Sequence, residues 1–350
     1  MIRFALILVT LSFCSAATAA RNDGNAARAS ALDSYATHKA AMRFADEVAE
    51  RRGLDPEWVR RAMGQAQFLP NVQRLMLPPP SGQPKNWQAY RSRFIDPARI
   101  DAGVRFWREN REALALAEEI YKVPASIVIG IIGVETIYGR TMGDFRVLDA
   151  LATLTFDFPQ EHPKAAARQA YFQGELESFL ALCSRSGTDP SARRGSYAGA
   201  MGMAQFMPSS WARYAVDFDR DGFIDLYRSA ADAIGSVANY LASHGWQPGV
   251  EPYFPVLLDS APLDKAALLH PDILPTFSVD EFTRKGAILW GDALRHNGKL
   301  ALVELQNGQA EPQYVAGTEN FYVITRYNWS SYYAMAVIEL GRAVETALDP

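Results

Sequence analysis

Pro124-Ala125-Ser126-Ile127-Val128-Ile129-Gly130-Ile131-Ile132-Gly133-Val134-Glu135-Thr136-Ile137-Tyr138 is the stretch that decides how this chain is read. Pro124 has no amide hydrogen and a fixed φ, so it suits the start of a helix running from Ile127 to about Tyr138. Ile127, Val128, Ile129, Ile131, Ile132 and Val134 make that helix apolar nearly all round. A helix of that kind belongs at the centre of a domain. Glu135 sits near its end, with Ile131 and Ile132 one turn behind and Tyr138 nearly one turn ahead. A carboxylate there is poorly hydrated, which disfavours its charge and raises its pKa. An acid still protonated near neutrality can give a proton to a leaving oxygen and later retrieve one. The competing reading is a glutamate that reaches solvent from the helix end or is satisfied by a buried partner.

The flanks read as helices too. Asp55-Pro56 supplies an N-cap and a first-turn proline ahead of Trp58, Val59, Ala62 and Met63. Asp96-Pro97 repeats the signal before a long helix with Ile100, Val104, Trp107 and Leu114 on one face. Further helices are expected over Tyr171–Cys183, from Pro208, over Asp232–Ser243 and over Tyr333–Leu348. After Trp246 the texture changes. Leu300–Leu305 and Phe321–Thr325 carry strand-forming residues, with Asn307-Gly308 as a turn signal between them. The expected class is mainly α (α+β).

Composition and termini bound the function. At 350 residues, 49% hydrophobic and 21% charged, the chain is globular, with core enough for two or three packed units. Its net charge of −4 shows no basic excess, so no nucleic acid partner is expected. Arg3, the apolar run Phe4–Phe13 and Ala17-Thr18-Ala19-Ala20 lay out a secretory leader over residues 1–20, too short to span a membrane; the alternative is a first core helix. A periplasmic protein is expected. Cys14 sits where a lipoprotein signal would place its cysteine, which leaves an outer-membrane anchor as an alternative, but Phe13 before it is too large for that signal. Cys183 is then the one mature cysteine, so no disulfide framework exists, and Phe179, Leu180 and Leu182 suit a buried thiol.

A hydrolytic glycosidase normally pairs two carboxylates. No acid lies between Gly195 and Val216, and sequence does not place Asp149 or Asp157. A single acid favours chemistry in which the sugar supplies its own nucleophile. At this point the chain resembles a family, the lytic murein transglycosylases of the B type (glycoside hydrolase family 103). The resemblance rests on Gly130-Ile131-Ile132-Gly133-Val134-Glu135-Thr136, Leu148–Leu154, Gly199-Ala200-Met201-Gly202, Gln205-Phe206-Met207-Pro208-Ser209-Ser210, Asp232–Tyr240 and Phe321–Asn328. These ordered blocks span roughly Asp96 to Leu340. It implies a lysozyme-like helical core that cuts the MurNAc–GlcNAc β-1,4 bond of peptidoglycan without water, with Glu135 as acid and then base. The implied segments are an N-terminal helical domain (21–115), a catalytic core (116–246, completed by 327–350) and a small α/β subdomain (247–326). Cell-wall synthesis or remodelling proteins would be further partners, and a monomer is expected.

Sugars are gripped by hydrogen bonds and by stacking of their ring faces. Ser196, Gln205, Phe206, Tyr240, Tyr327, Asn328 and Tyr333 match positions the family uses around its cleft. Without the family, each tyrosine reads first as a core or interface residue, whereas the Gln205 amide among glycines and methionines needs a partner. The family often sets two basic residues before a Tyr-Phe pair, able to meet the peptide stem. Here Ala167-Arg168-Gln169-Ala170-Tyr171-Phe172 keeps only Arg168.

Asp217-Phe218-Asp219-Arg220-Asp221-Gly222-Phe223-Ile224-Asp225 matches the first half of an EF-hand loop. Asp217, Asp219 and Asp221 can converge on a hard cation, Gly222 permits the sharp turn, and the Phe223 carbonyl can ligate. Arg228 stands where the usual bidentate glutamate belongs, and the resemblance offers Asp232 instead. A structural Ca²⁺ is expected, with no cofactor needed for the chemistry; the bland reading is an acidic surface turn. Two other functions stay open at this stage, a hydrolytic muramidase and an inactive peptidoglycan-binding protein.

Overall fold

The computed structural model describes residues 34–78, 84–258, 261 and 263–348. The expected leader and Cys14 lie outside them. Helices dominate, joined by one three-stranded and one two-stranded antiparallel sheet. The mainly α, α+β class is the one expected. Among the described residues no helix is long and apolar enough to cross a membrane.

The chain divides into two compact units that follow different lines from the segments read off the sequence. One takes residues 84–138 and 214–348. At its centre is the helix Ala125–Thr136, in which every residue but Glu135 is buried. Pro124 stands at its N-cap position, and the helix ends earlier than expected, because Ile137 and Tyr138 turn left-handed at φ 51° and 57°. The C-terminal helix Ser331–Thr346 crosses it at close range. A Cβ at Gly130 would collide with the Val337 carbonyl, and one at Gly341 with the Ser126 carbonyl. Helix Ala230–Ser243 also packs on the central helix.

Two readings need correction in this unit. The single long helix from Asp96 breaks at Asn110, whose backbone is not helical and whose Nδ2 donates to the Phe106 carbonyl at 2.8 Å. Helix Pro97–Glu109 therefore buries Ala102, Gly103 and Phe106, while Leu114 belongs to the next helix, Arg111–Tyr121. The expected strand Phe321–Thr325 is instead part of helix Glu319–Tyr327, started by the Thr318 side chain accepting from the Asn320 amide. The hairpin turned by Asn307-Gly308 joins Ala301–Asn307 to Ala310–Gly317, and Tyr253–Pro255 pairs on the far side of that second strand. Phe254, Leu268, Phe282, Leu300 and Leu302 form the core beneath this sheet.

The other unit takes residues 34–78 and 139–213. Helix Pro56–Gly64 starts on Asp55 and Pro56 as read from the sequence. Helix Ala165–Ser186 is longer at both ends than the expected Tyr171–Cys183, and it packs on Val147–Phe156. The N-terminal helices are tied to these two by polar contacts. Asp149 accepts from the Gln67 amide at 3.1 Å, Thr153 Oγ1 accepts from the Leu69 amide at 3.0 Å, and the Tyr35 hydroxyl donates to Asp157 at 2.5 Å. Asp149 and Asp157 are thus acceptors that hold the fold together. Cys183 is buried, which pushes its thiol up to about 12, so it is a packing residue.

Candidate active site

Glu135 is half-buried, the one residue of its helix that is not buried. Its carboxyl is nevertheless crowded by protein atoms. Burial lifts its pKa from 4.5 to about 7, and a hydrogen bond from the Tyr333 hydroxyl to Oε1, at 2.7 Å, partly opposes the rise. Such a group is protonated in a good fraction of molecules near neutrality, yet it can lose the proton. The close crossing of the two helices at Gly130 and Gly341 puts Tyr333 within reach of it.

Around this pair stands a wall of aromatic rings. Tyr327 stacks on Tyr333 at 6.4 Å, and Tyr240 meets Tyr327 edge-on at 4.8 Å. Tyr333 is fully buried, and the Tyr240 hydroxyl donates to the Arg326 carbonyl at 2.7 Å. Burial first, and then the charge of Glu135, hold both Tyr327 and Tyr333 well above the ordinary phenol range. Asn328 is 3% exposed, and its Oδ1 has no hydrogen-bond partner among the described residues. A buried amide oxygen of that kind is an acceptor awaiting a donor.

Tyr90, which the sequence reading passed over, belongs here as well. Its phenol is raised by burial and then by the Glu135 charge, and its ring stacks on the buried Trp87 and meets Tyr332 edge-on. Only the aromatic spacing of Trp87, Tyr90 and Phe94 could have drawn attention to it.

The remaining sugar-binding candidates lie in the second unit. Ser196, Gln205 and Phe206 share one tight loop. Ser196 Oγ accepts from the Ala200 amide at 3.0 Å, and Met201 and Phe206 exchange backbone hydrogen bonds. Gln205, at φ 48°, donates through Nε2 to the carbonyls of Met142 and Gly202 at 3.1 and 2.9 Å. Phe206 is buried, and Arg168 is buried with its pKa lowered by that burial. Glu175 is a second buried acid with a raised pKa. Its two oxygens take the Ser209 amide (2.9 Å) and hydroxyl (2.6 Å), so it serves to anchor the helix Pro208–Tyr214.

Asp217, Asp219 and Asp221 bring carboxylate oxygens within 4.8 Å of one another. The Asp221 and Gly222 amides donate to Asp217, and the Phe223 amide donates to Asp221, which pins the acids inward. Asp232 does not join this group. Buried at the start of its helix, it accepts the amides of Phe218 and Asp225 at 2.7 Å each, one on each oxygen, so it closes the loop from below.

Residues 36–342 match the transglycosylase SLT domain. The chain belongs to that family. It is 41% identical over 321 residues to the membrane-bound lytic murein transglycosylase B of Escherichia coli K12, covering 89% of this chain and 84% of that protein. Among solved structures, the E. coli lytic transglycosylase SLT35 in complex with bulgecin A, and the same enzyme in complex with calcium, each match with a TM-score of 0.79 and 40% identity, covering 90% of this chain and 96% of theirs. SltB3 of Pseudomonas aeruginosa in complex with NAG-NAM-pentapeptide matches with a TM-score of 0.72 at 28% identity, covering 87% and 79%. The family is thus one of enzymes, as the Glu135 motif suggested.

Proposed function

We propose that this chain is a peptidoglycan lytic transglycosylase that cleaves the MurNAc–GlcNAc β-1,4 bond and leaves 1,6-anhydro-MurNAc ends. Protonated Glu135 gives its proton to the glycosidic oxygen as the bond from C1 to that oxygen breaks. The N-acetyl group of MurNAc assists at C1. Glu135, now a carboxylate, takes the proton of the C6 hydroxyl as that oxygen bonds to C1. The acid is restored and no water is consumed.

The observation that carries this reading is the state of Glu135: a carboxyl raised to about 7 by burial, with Tyr333 as the group that tempers it. No neighbouring carboxylate figures among the causes of its shift. That fits a nucleophile supplied by the glycan itself. The binding of SltB3 to NAG-NAM-pentapeptide supports the substrate class.

In this reading Tyr327 and Tyr240 offer ring faces, and Asn328 Oδ1 accepts from a sugar hydroxyl. Tyr333 acts on Glu135 more than on sugar. Ser196, Gln205, Phe206 and Arg168 are proposed substrate-side residues of the second unit, Phe206 by packing. The three functional segments 21–115, 116–246 with 327–350, and 247–326 go with this assignment.

Calcium is proposed to sit on Asp217, Asp219, Asp221 and the Phe223 carbonyl, an all-oxygen set that suits a hard cation. The calcium complex of SLT35 supports it. Its effect would be to stiffen the loop ahead of the Tyr240 helix, with Asp232 bracing that loop through its amide contacts. Export through the leader to the periplasm fits the relative from E. coli, a membrane-bound murein enzyme.

The test is mass spectrometry of muropeptides released from isolated sacculi by the purified protein and by its Glu135→Gln variant. Anhydro-MurNAc ends from the parent and no release by the variant are expected. Reducing ends would point to a hydrolytic muramidase, and no release by either to a binding protein.

A further inference from the structure

The catalytic helix stops one residue after Glu135, and three successive residues then adopt left-handed backbone: Ile137 at φ 51°, Tyr138 at 57° and Gly139 at 84°. For the first two, which carry side chains, that conformation costs about 1–2 kcal/mol each and persists only where surroundings enforce it. The enforcement is visible at Tyr138. Its phenol occupies a slot opened by two glycines on separate helices: a Cβ at Gly103 or at Gly133 would lie 2.5 Å from the Tyr138 hydroxyl. Phe106 packs on the ring at 5.3 Å, and Leu340 and Val344 of the C-terminal helix line the same slot. The hydroxyl is buried and has no hydrogen-bond partner among the described residues, so packing of the ring holds the side chain, while the Ile137 and Tyr138 amides donate to the Gly133 and Ile132 carbonyls at 3.2 and 3.4 Å and close the turn. Beside it, Arg99 Nη1 donates to the Gly133 carbonyl at 3.3 Å, setting a cation at the negative end of the helix.

We propose that Tyr138 is a positioning residue for Glu135: its ring, plugged between Gly103 and Gly133, pins the left-handed turn and so fixes the last turn of the helix on which the acid rides. Glu135 is three residues before Tyr138, within the turn that would fray if the plug were lost. Fraying admits water to the carboxyl and lets it drift from its reacting atom. A misplacement of about 1 Å at a proton-transfer group can cost about a hundredfold in rate. The inference rests on Glu135 being the acid and base of the proposed reaction.

The experiment compares Tyr138→Leu, Tyr138→Phe and the parent on sacculi, with thermal melts confirming that each is folded. Tyr138→Leu is expected to lower kcat at least about thirtyfold with KM within about twofold, and to move the alkaline limb of the pH–rate profile down toward the ordinary carboxylate range. Tyr138→Phe, which keeps the ring, is expected to restore kcat and the limb. If Tyr138→Leu does not fold, Gly103→Ala, which pushes a methyl against the ring from a helix that carries no catalytic group, is read by the same criteria. An unchanged pH limb and kcat in a folded Leu or Ala variant would reduce Tyr138 to packing, and loss in Tyr138→Phe equal to that in Leu would overturn the ring argument. Glu135→Gln run alongside separates the two levels: activity in that variant sinks the assignment of Glu135, whereas its inactivity leaves only the Tyr138 proposal at stake.

Discussion

Glu135 is protonated more readily in the folded protein than in the unfolded chain, and that difference has a sign that can be measured. With a folded pKa of about 7 against 4.5, the stability linked to its proton is fully present below 4.5 and is lost as pH rises through 7. Replacing it with Gln, which cannot ionise but can still accept from Tyr333, removes that loss. Glu135→Gln should therefore lower cleavage by roughly 10²–10⁴-fold and stabilise the fold by about 2–3 kcal/mol near pH 8, and by less than half of that near pH 5. Chemical denaturation at the two pH values checks it; equal stabilities at pH 8 would contradict the raised pKa. Tyr333 acts in the opposite sense, because its hydroxyl favours the carboxylate. Tyr333→Phe should move the alkaline limb of the pH–rate profile to higher pH and lower kcat by about tenfold, with the base step losing its helper. Glu135 was legible in the sequence because an acid in an otherwise apolar helix is conspicuous. The bond from Tyr333 was not, since it joins residues 198 positions apart. Tyr90 had no motif around it at all.

At the scale of elements, the site depends on two helices approaching closely enough for Tyr333 to touch Glu135. Gly130→Ala or Gly341→Ala would put a methyl into a facing backbone carbonyl. Each should cost about 1–3 kcal/mol and reduce kcat along with stability, read by melts and by sacculus clearance on the same samples. The acidic loop makes a separate prediction. Calcium should raise the melting temperature relative to chelator, and Asp217→Asn with Asp219→Asn should erase the difference while leaving Glu135 chemistry in place. Melting midpoints that are identical with ion and with chelator would count against the site. Elements were readable where local chemistry decides, as at Asp55-Pro56, Asp96-Pro97 and Asn307-Gly308. They were misread where tertiary context overrides it. Phe321–Thr325 is rich in β-forming residues, yet Thr318 caps a helix there. The true partner strand, Ala310–Gly317, contains Glu311, Pro312 and Gln313, and its alternation is too weak to see.

For the molecule as a whole, the sequence disclosed the class of fold, because the apolar helix, the capped flanking helices and the short strand-rich stretch each follow from local pattern. It did not disclose that residues 139–213 pack with the N-terminal helices, since that follows from contacts such as Gln67 with Asp149 and Tyr35 with Asp157. These same contacts occupy Asp149 and Asp157, the two acids that the sequence alone did not place. The proposed chemistry needs one acid, Glu135, and a nucleophile carried by the substrate. Digestion of sacculi in water enriched in heavy oxygen tests this most directly. Released muropeptides are expected to carry no heavy oxygen at the MurNAc anomeric carbon and to end in anhydro rings. Stoichiometric incorporation of the label at that carbon would contradict it.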